Sequence, residues 1–108
     1  MGGAVPVILL DTDLDENHPD DRSITHFLYG GDDAYRFKQE MVLGIGGVRM
    51  LGALGFGILK YHLNEGHAAL LTLELLRRLT RKDDEAGTTA LRYDAHAVRQ
   101  RCVFTTHT

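Results

Sequence analysis

A chain of 108 residues is one domain at most, and 44% hydrophobic with 25% charged residues is an ordinary globular balance that argues against disorder along the chain. Twelve basic against fifteen acidic side chains give a net charge of −3, without the basic excess of a nucleic-acid binder or of a protein held on an anionic membrane. No apolar run reaches the roughly 18–20 residues that span a bilayer, residues 1–4 show no basic signal-peptide region, and the single cysteine, Cys102, excludes an intrachain disulfide and fits a reducing, cytoplasmic setting.

In chain order, residues 4–10 are continuously apolar and partly β-branched, which predicts a strand buried on both faces, with Pro6 near its start. Residues 11–21 are acidic and polar and read as a loop. Asp32 or Asp33 is an N-cap for a long helical pattern ending near Leu54, with Gly55 to Gly57 as its stop. Residues 58–63 read as a second strand, residues 64–66 as a turn, and residues 67–81 as a helix. Residues 68–76 are apolar nearly all round, which predicts burial between layers. Residues 83–89 are a polar break, residues 91–101 a third helix and residues 102–106 a third strand. That alternation predicts an α/β fold with parallel strands and right-handed helical crossovers. Ligands in such sheets gather at the carboxyl ends of the strands. Here those ends are residues 11–13, 62–67 and 105–108, all polar and expected at one edge of the sheet.

Asp11-Thr12-Asp13-Leu14-Asp15 starts like a calcium loop, but Glu16 stands where a glycine is needed and Arg22 where a bidentate glutamate is needed. Gly44-Ile45-Gly46-Gly47 has the look of a phosphate loop, yet it sits inside a helical pattern, and close helix packing explains it better. His62, Glu65 and His67 could suggest zinc. The two histidines are five apart across a strand-to-helix turn, however, and not four apart on one helix face. Two readings of this turn stay open. Asn64, Glu65 and Gly66 form a polar rim for a hydroxyl-rich ligand, or a capped turn with no ligand. Cys102 opens a buried strand and reads as a small core hydrophobe, not a nucleophile. The basic residues of 77–82 read as a solvated helix end that complements the helix dipole.

The residues carry the reading further. Leu9-Leu10-Asp11-Thr12-Asp13-Leu14, the run Asp21 to Asp32, the run Lys38 to Arg49, Tyr61-His62-Leu63-Asn64-Glu65-Gly66-His67-Ala68-Ala69 and Val103-Phe104-Thr105-Thr106-His107-Thr108 together resemble the α-glucan (glycogen, maltodextrin) phosphorylase family, most closely its bacterial and archaeal branch. The resemblance covers nearly the whole chain. It implies that residues 1–108 are part of an N-terminal Rossmann-like domain, an incomplete piece of the two-domain GT-B architecture. The parent would be a transferase of carbohydrate metabolism that cleaves terminal α-1,4-glucosyl units with inorganic phosphate, giving glucose 1-phosphate with pyridoxal phosphate as cofactor.

By motif match, the resemblance implies that His107 contacts the glucosyl unit at the catalytic centre and that Thr108 follows it at the cleft. It implies that Asn64, Glu65 and His67 line the pocket beside that glucose. In the animal enzymes Asp and Thr stand where Glu65 and Gly66 do. None of Lys38, Lys60 and Lys82 sits in the family's cofactor-lysine context, and the family would continue with Pro-Val after Thr108. The expectation is a fragment, inactive alone and without cofactor or metal. With sheet edges uncovered it should self-associate. The alternatives are a non-catalytic sugar-binding or oligomerising remnant of the same fold, and another GT-B glycosyltransferase that uses a nucleotide sugar.

Overall fold

A computed structural model of the chain describes residues 3–28, 31–82 and 91–107, so the predicted break at 83–89, Gly30 and Thr108 lie outside the described residues. The chain divides into two compact units, Met1–Gln39 and Glu40–Thr108.

In the first unit the predicted strand at 4–10 is not a strand. The segment joins no ladder among the described residues, and Val5, Val7 and Leu9 are 86%, 82% and 87% exposed. Apolar β-branched residues favour an extended backbone, but a strand also needs a neighbour to pair with and a layer to cover it. The acidic loop that follows is folded on itself. Thr25 Oγ1 donates to Asp11 Oδ1 at 3.0 Å, Asn17 Nδ2 to the Thr12 carbonyl at 2.8 Å, and Arg22 Nε to Asp13 Oδ1 at 2.7 Å. The Arg22 hydrogen bond holds the Asp13 carboxyl below its usual range. Helix α1, Pro19–Arg22, starts with a proline at its first position, and the His18 ring accepts from Asp20 N. Helix α2, Asp33–Met41, is capped by Asp32, whose Oδ1 accepts from Tyr35 N at 2.9 Å. From α2, Tyr35 Oη donates to the Ser23 carbonyl and Gln39 Nε2 to the carbonyls of Ile24 and Phe27.

The second unit holds the sheet. The chain stays helical through a π-helical stretch, Val42–Gly46, into α3, Gly47–Ala53, and leaves the helix at Gly55 with φ +85°, where glycine carries no steric cost. Strand β1, Tyr61–Asn64, leads through a 3-10 turn, Glu65–Ala68, into α4, Leu71–Arg78. Two short strands, β2 at Arg81–Lys82 and β3 at Leu91–Arg92, pair antiparallel. Helix α5, Ala95–Gln100, is capped by Asp94, whose Oδ1 accepts from Ala97 N, and β4 follows at Cys102–Thr105. β1 and β4 run parallel in the register Tyr61 with Cys102, His62 with Val103, Leu63 with Phe104 and Asn64 with Thr105. The fold is therefore α/β with a parallel pair, as the alternation predicts, although two strands and not three form that sheet among the described residues.

The core joins α3, β1, α4 and α5 through Val48, Leu63, Leu71, Leu75 and Val98, with Tyr61, Ala68, Leu76, Leu79 and Cys102 packed against it. The predicted helix at 67–81 is shorter than expected. A tight turn takes its first residues and the β2 ladder its last. The all-round burial expected of 68–76 fails too: Leu71, Glu74 and Leu75 are buried while Leu73 is 53% exposed, the one-sided pattern of a helix covered on a single face. The helix expected at 91–101 begins only at Ala95, since residues 91–92 are spent on β3.

Gly44 accounts for one of the clustered glycines. A Cβ there would stand 2.7 Å from Leu71 N and 3.1 Å from Leu70 C, so only glycine lets α4 seat against this helix. Gly46 and Gly47 meet nothing within 4 Å, so the packing explanation holds for Gly44 alone. No helix among the described residues is long and apolar enough to cross a membrane.

Candidate functional site

The carboxyl ends of β1 and β4 lie side by side. Because side chains alternate along a strand, Leu63 enters the core at 3% exposure while His62 and Asn64 stand on the open face. On that face, His62 Nε2 and Thr105 Oγ1 are 2.5 Å apart, and Asn64 Oδ1 and His107 Nε2 are 2.6 Å apart. Both contacts repeat one rule. A β1 residue meets the residue two beyond its register partner on β4, the diagonal neighbour within reach of longer side chains. A third link comes from the turn: His107 N donates to Glu65 Oε1 at 2.6 Å.

Glu65 has φ +61°, the left-handed region that a residue with a Cβ enters at a cost of about 1–3 kcal/mol. The following Gly66 has open space around it. The strained backbone thus falls on the acidic residue and not on the neighbouring glycine, where sequence reasoning would put it.

Of the residues singled out from sequence, Asn64, Glu65 and His107 come together. His67 lies exposed in the same turn, and Thr108 lies outside the described residues. The first predicted strand end, at residues 11–13, belongs to the other unit and ends no strand. Among the described residues no three His, Cys, Asp or Glu side chains form a group that could hold a metal ion. The Gly44 to Gly47 run lies within helix, not between a strand and a helix, so it cannot cradle phosphate as a loop. Partial burial pushes the Cys102 thiol up, against the opposing charge of Lys60, the reverse of the shift that activates a nucleophilic cysteine.

Sequence reasoning missed two features. One is the His62 and Thr105 rung, for which no local signal exists. The other is Glu74, buried at 3% exposure on α4. Arg49 reaches it with Nε and Nη2 at 3.2 and 3.3 Å, Arg77 at 3.1 and 2.7 Å, and Arg78 Nε at 3.3 Å. Arg77 and Arg78 form the exposed, basic last turn of α4 that the sequence predicts, and in addition both reach back to Glu74. The available signal was a glutamate followed by arginines three and four residues on. The hydrogen bonds from Arg77 first, then from Arg49 and Arg78, draw the Glu74 carboxyl down to about 2 against the pull of burial.

Comparison with known proteins decides the kinship. The chain is 45% identical over 112 residues to a glycogen phosphorylase of Mycobacterium tuberculosis, 42% over 106 residues to a maltodextrin phosphorylase of Thermococcus litoralis, and 35% over 108 residues to a glycogen phosphorylase of Aquifex aeolicus. The chain is homologous to the glycogen and maltodextrin phosphorylases. Each match takes in 98% of the chain but only 12%, 12% and 15% of the relative, so the chain corresponds to a short segment of these phosphorylases. No family model and no solved structure matches it.

Proposed function

We propose that the chain is part of the N-terminal, Rossmann-like domain of a GT-B α-glucan phosphorylase and forms one wall of its glucosyl pocket. The observation that supports this is the meeting of Asn64, Glu65 and His107 at the carboxyl end of a parallel strand pair, in a chain homologous to phosphorylases. On this reading the parent takes α-1,4-glucan and phosphate and yields glucose 1-phosphate. His107 faces the glucosyl unit, where charge develops as the glycosidic bond breaks, while Asn64, Glu65, His67 and Thr108 complete the wall around it. Polar groups with both donors and acceptors suit a ligand rich in hydroxyls.

Among the described residues, no lysine or glycine loop fits the family cofactor, pyridoxal phosphate. Lys60 Nζ donates to the Gln100 carbonyl, Lys38 Nζ pairs with Asp21 at 3.8 Å, and the glycine run is helical. On this reading the cofactor is held by another part of the parent, and the 108 residues alone turn over nothing. A second reading, an oligomerising remnant, is favoured by exposed apolar side chains. Leu43, Met50 and Leu54 lie on the helical stretch and Val103 and Phe104 on β4, between 40% and 55% exposed.

The test is phosphorolysis of maltodextrin by a full-length protein carrying this segment, read as glucose 1-phosphate, beside the 108-residue chain and a nucleotide-sugar transfer assay. Release by the former alone supports the proposal. Activity of the isolated chain, or transfer from a nucleotide sugar without phosphorolysis, overturns it. Sedimentation of the isolated chain reads the second possibility, which a monodisperse monomer would dismiss.

A further inference from the structure

We infer that Glu65 and Asn64 act through His107 as positioning residues: Glu65 holds its main chain and Asn64 selects its ring tautomer. β4 ends at Thr105, so the amide of His107 has left the ladder. The Glu65 carboxylate takes over as acceptor at 2.6 Å, across 42 positions of sequence. A main-chain N–H to an ionised carboxylate is a charge-assisted bond, stronger than the neutral ladder bonds it replaces. The geometry has a cost that the fold tolerates. Glu65 carries the one left-handed φ of a non-glycine residue among the described residues, and such strain persists only where the surroundings over-determine it. The turn that this backbone angle opens is the one whose acidic side chain meets β4 at its end.

The ring is held separately. Asn64 Oδ1 is an acceptor only, so its partner His107 Nε2 carries the proton in the neutral ring and Nδ1 is left as the acceptor. The His62 and Thr105 rung, two residues earlier on the same face, steadies β4 on its approach. Through Oε1, Glu65 is thereby engaged by the protein itself, a positioning role added to its place in the pocket wall. The consequence for catalysis rests on the phosphorylase reading above; the geometry does not.

The experiment has two arms. In the first, the 108-residue chain is labelled with 15N-histidine and observed by NMR, in solution or by magic-angle spinning, with exchange of the His107 amide followed in parallel. The proton of neutral His107 should sit almost wholly on Nε2, and Asn64→Ala should let the Nδ1–H tautomer reappear at the minor level of a free imidazole. Glu65→Ala and Glu65→Gly should speed His107 amide exchange about tenfold, the scale of one hydrogen bond to a charged group, while Glu65→Gln, which keeps an acceptor oxygen but loses the charge, should fall between them and the parent. Glu65→Gly separates the lost acceptor from relieved strain. In the second arm, the same Glu65 variants of the full-length protein are assayed for phosphorolysis. Glu65→Ala should lower kcat with little change in KM, and Glu65→Gln should restore part of it. A proton on Nδ1, or amide exchange indifferent to Glu65→Ala, overturns the inference. A first arm as expected, with no phosphorolysis by the unsubstituted full-length protein, upholds the positioning and defeats the phosphorylase reading.

Discussion

Two polar clusters in residues 40–107 join side chains far apart in sequence, and they end in opposite states. Around Glu74, three guanidiniums from two helices converge on a carboxylate whose side chain is 2% exposed, and donors meet both of its oxygens. At the strand ends, Asn64 and His107 are exposed, Glu65 is half-buried, and the backbone of Glu65 is strained. The first cluster is closed: a buried charge is tolerable only when hydrogen bonds satisfy it, and once they do it has nothing to offer a ligand. The second sits at the surface, where strain is retained and solvent, or a sugar, can reach the groups. Polar convergence alone therefore does not mark a candidate site; exposure at the carboxyl end of a parallel strand pair is what sets the second cluster apart from the first.

The largest effect expected is on His107. In the full-length protein, His107→Ala should lower kcat and kcat/KM together by about 30- to 1000-fold, since one contact made in the transition state is worth roughly 2–4 kcal/mol. Steady-state kinetics on maltooligosaccharides read it. An effect no greater than that of Glu65→Ala would erase the distinction between the group that meets the substrate and the group that positions it.

Next is Glu74→Gln, which leaves three arginines around a neutral amide. Removing one member of a buried pair costs about 3–5 kcal/mol, and the exposure of these arginines reduces that here to about 2 kcal/mol. Thermal melting against pH gives the sign. The folded carboxyl titrates at about 2, below its usual 4.5. Its stabilisation is therefore complete above about pH 4.5 and is lost as pH falls from there through about 2. The gap between parent and Glu74→Gln should narrow over that interval. A constant gap would show that the cluster is not electrostatic.

Gly44→Ala should cost about 1–3 kcal/mol, because the added carbon meets the backbone of Leu71 and displaces the helix that carries Glu74. Gly46→Ala, into open space on the same helical stretch, should stabilise by up to about 1 kcal/mol. Chemical denaturation of the pair checks the reversal of sign. The smallest effect is Arg49→Ala. At 59% side-chain exposure, and with Arg77 and Arg78 still in place, its loss should cost about 0.5–1 kcal/mol by the same measurement.

Much of this was legible. Asp32 as a cap, Gly55 as a stop, the parallel pairing of the last two predicted strands and the proximity of the Asn64 turn to His107 all follow from local chemistry plus the crossover rule. Residues 4–10 misled because an apolar β-branched run specifies an extended backbone but not a partner. The ends of α4 and α5 misled because short ladders and a tight turn compete with helix for the same residues. Glu74 was hidden because helix periodicity marks which residues share a face, not which of them a neighbouring helix will cover.

The sequence by itself determined the α/β alternation, the caps and stops, and the kinship with α-glucan phosphorylases, because each depends on residue identity read locally or in order. Tertiary structure alone decided that Glu65 and not Gly66 takes the left-handed backbone, that its carboxylate meets an amide 42 residues away, and that Glu74 is sealed while Glu65 is not. The physical reason is register. Which diagonal neighbours meet across β1 and β4, and how closely α4 seats on Gly44, depend on packing the whole core at once, and no stretch of sequence holds that information alone.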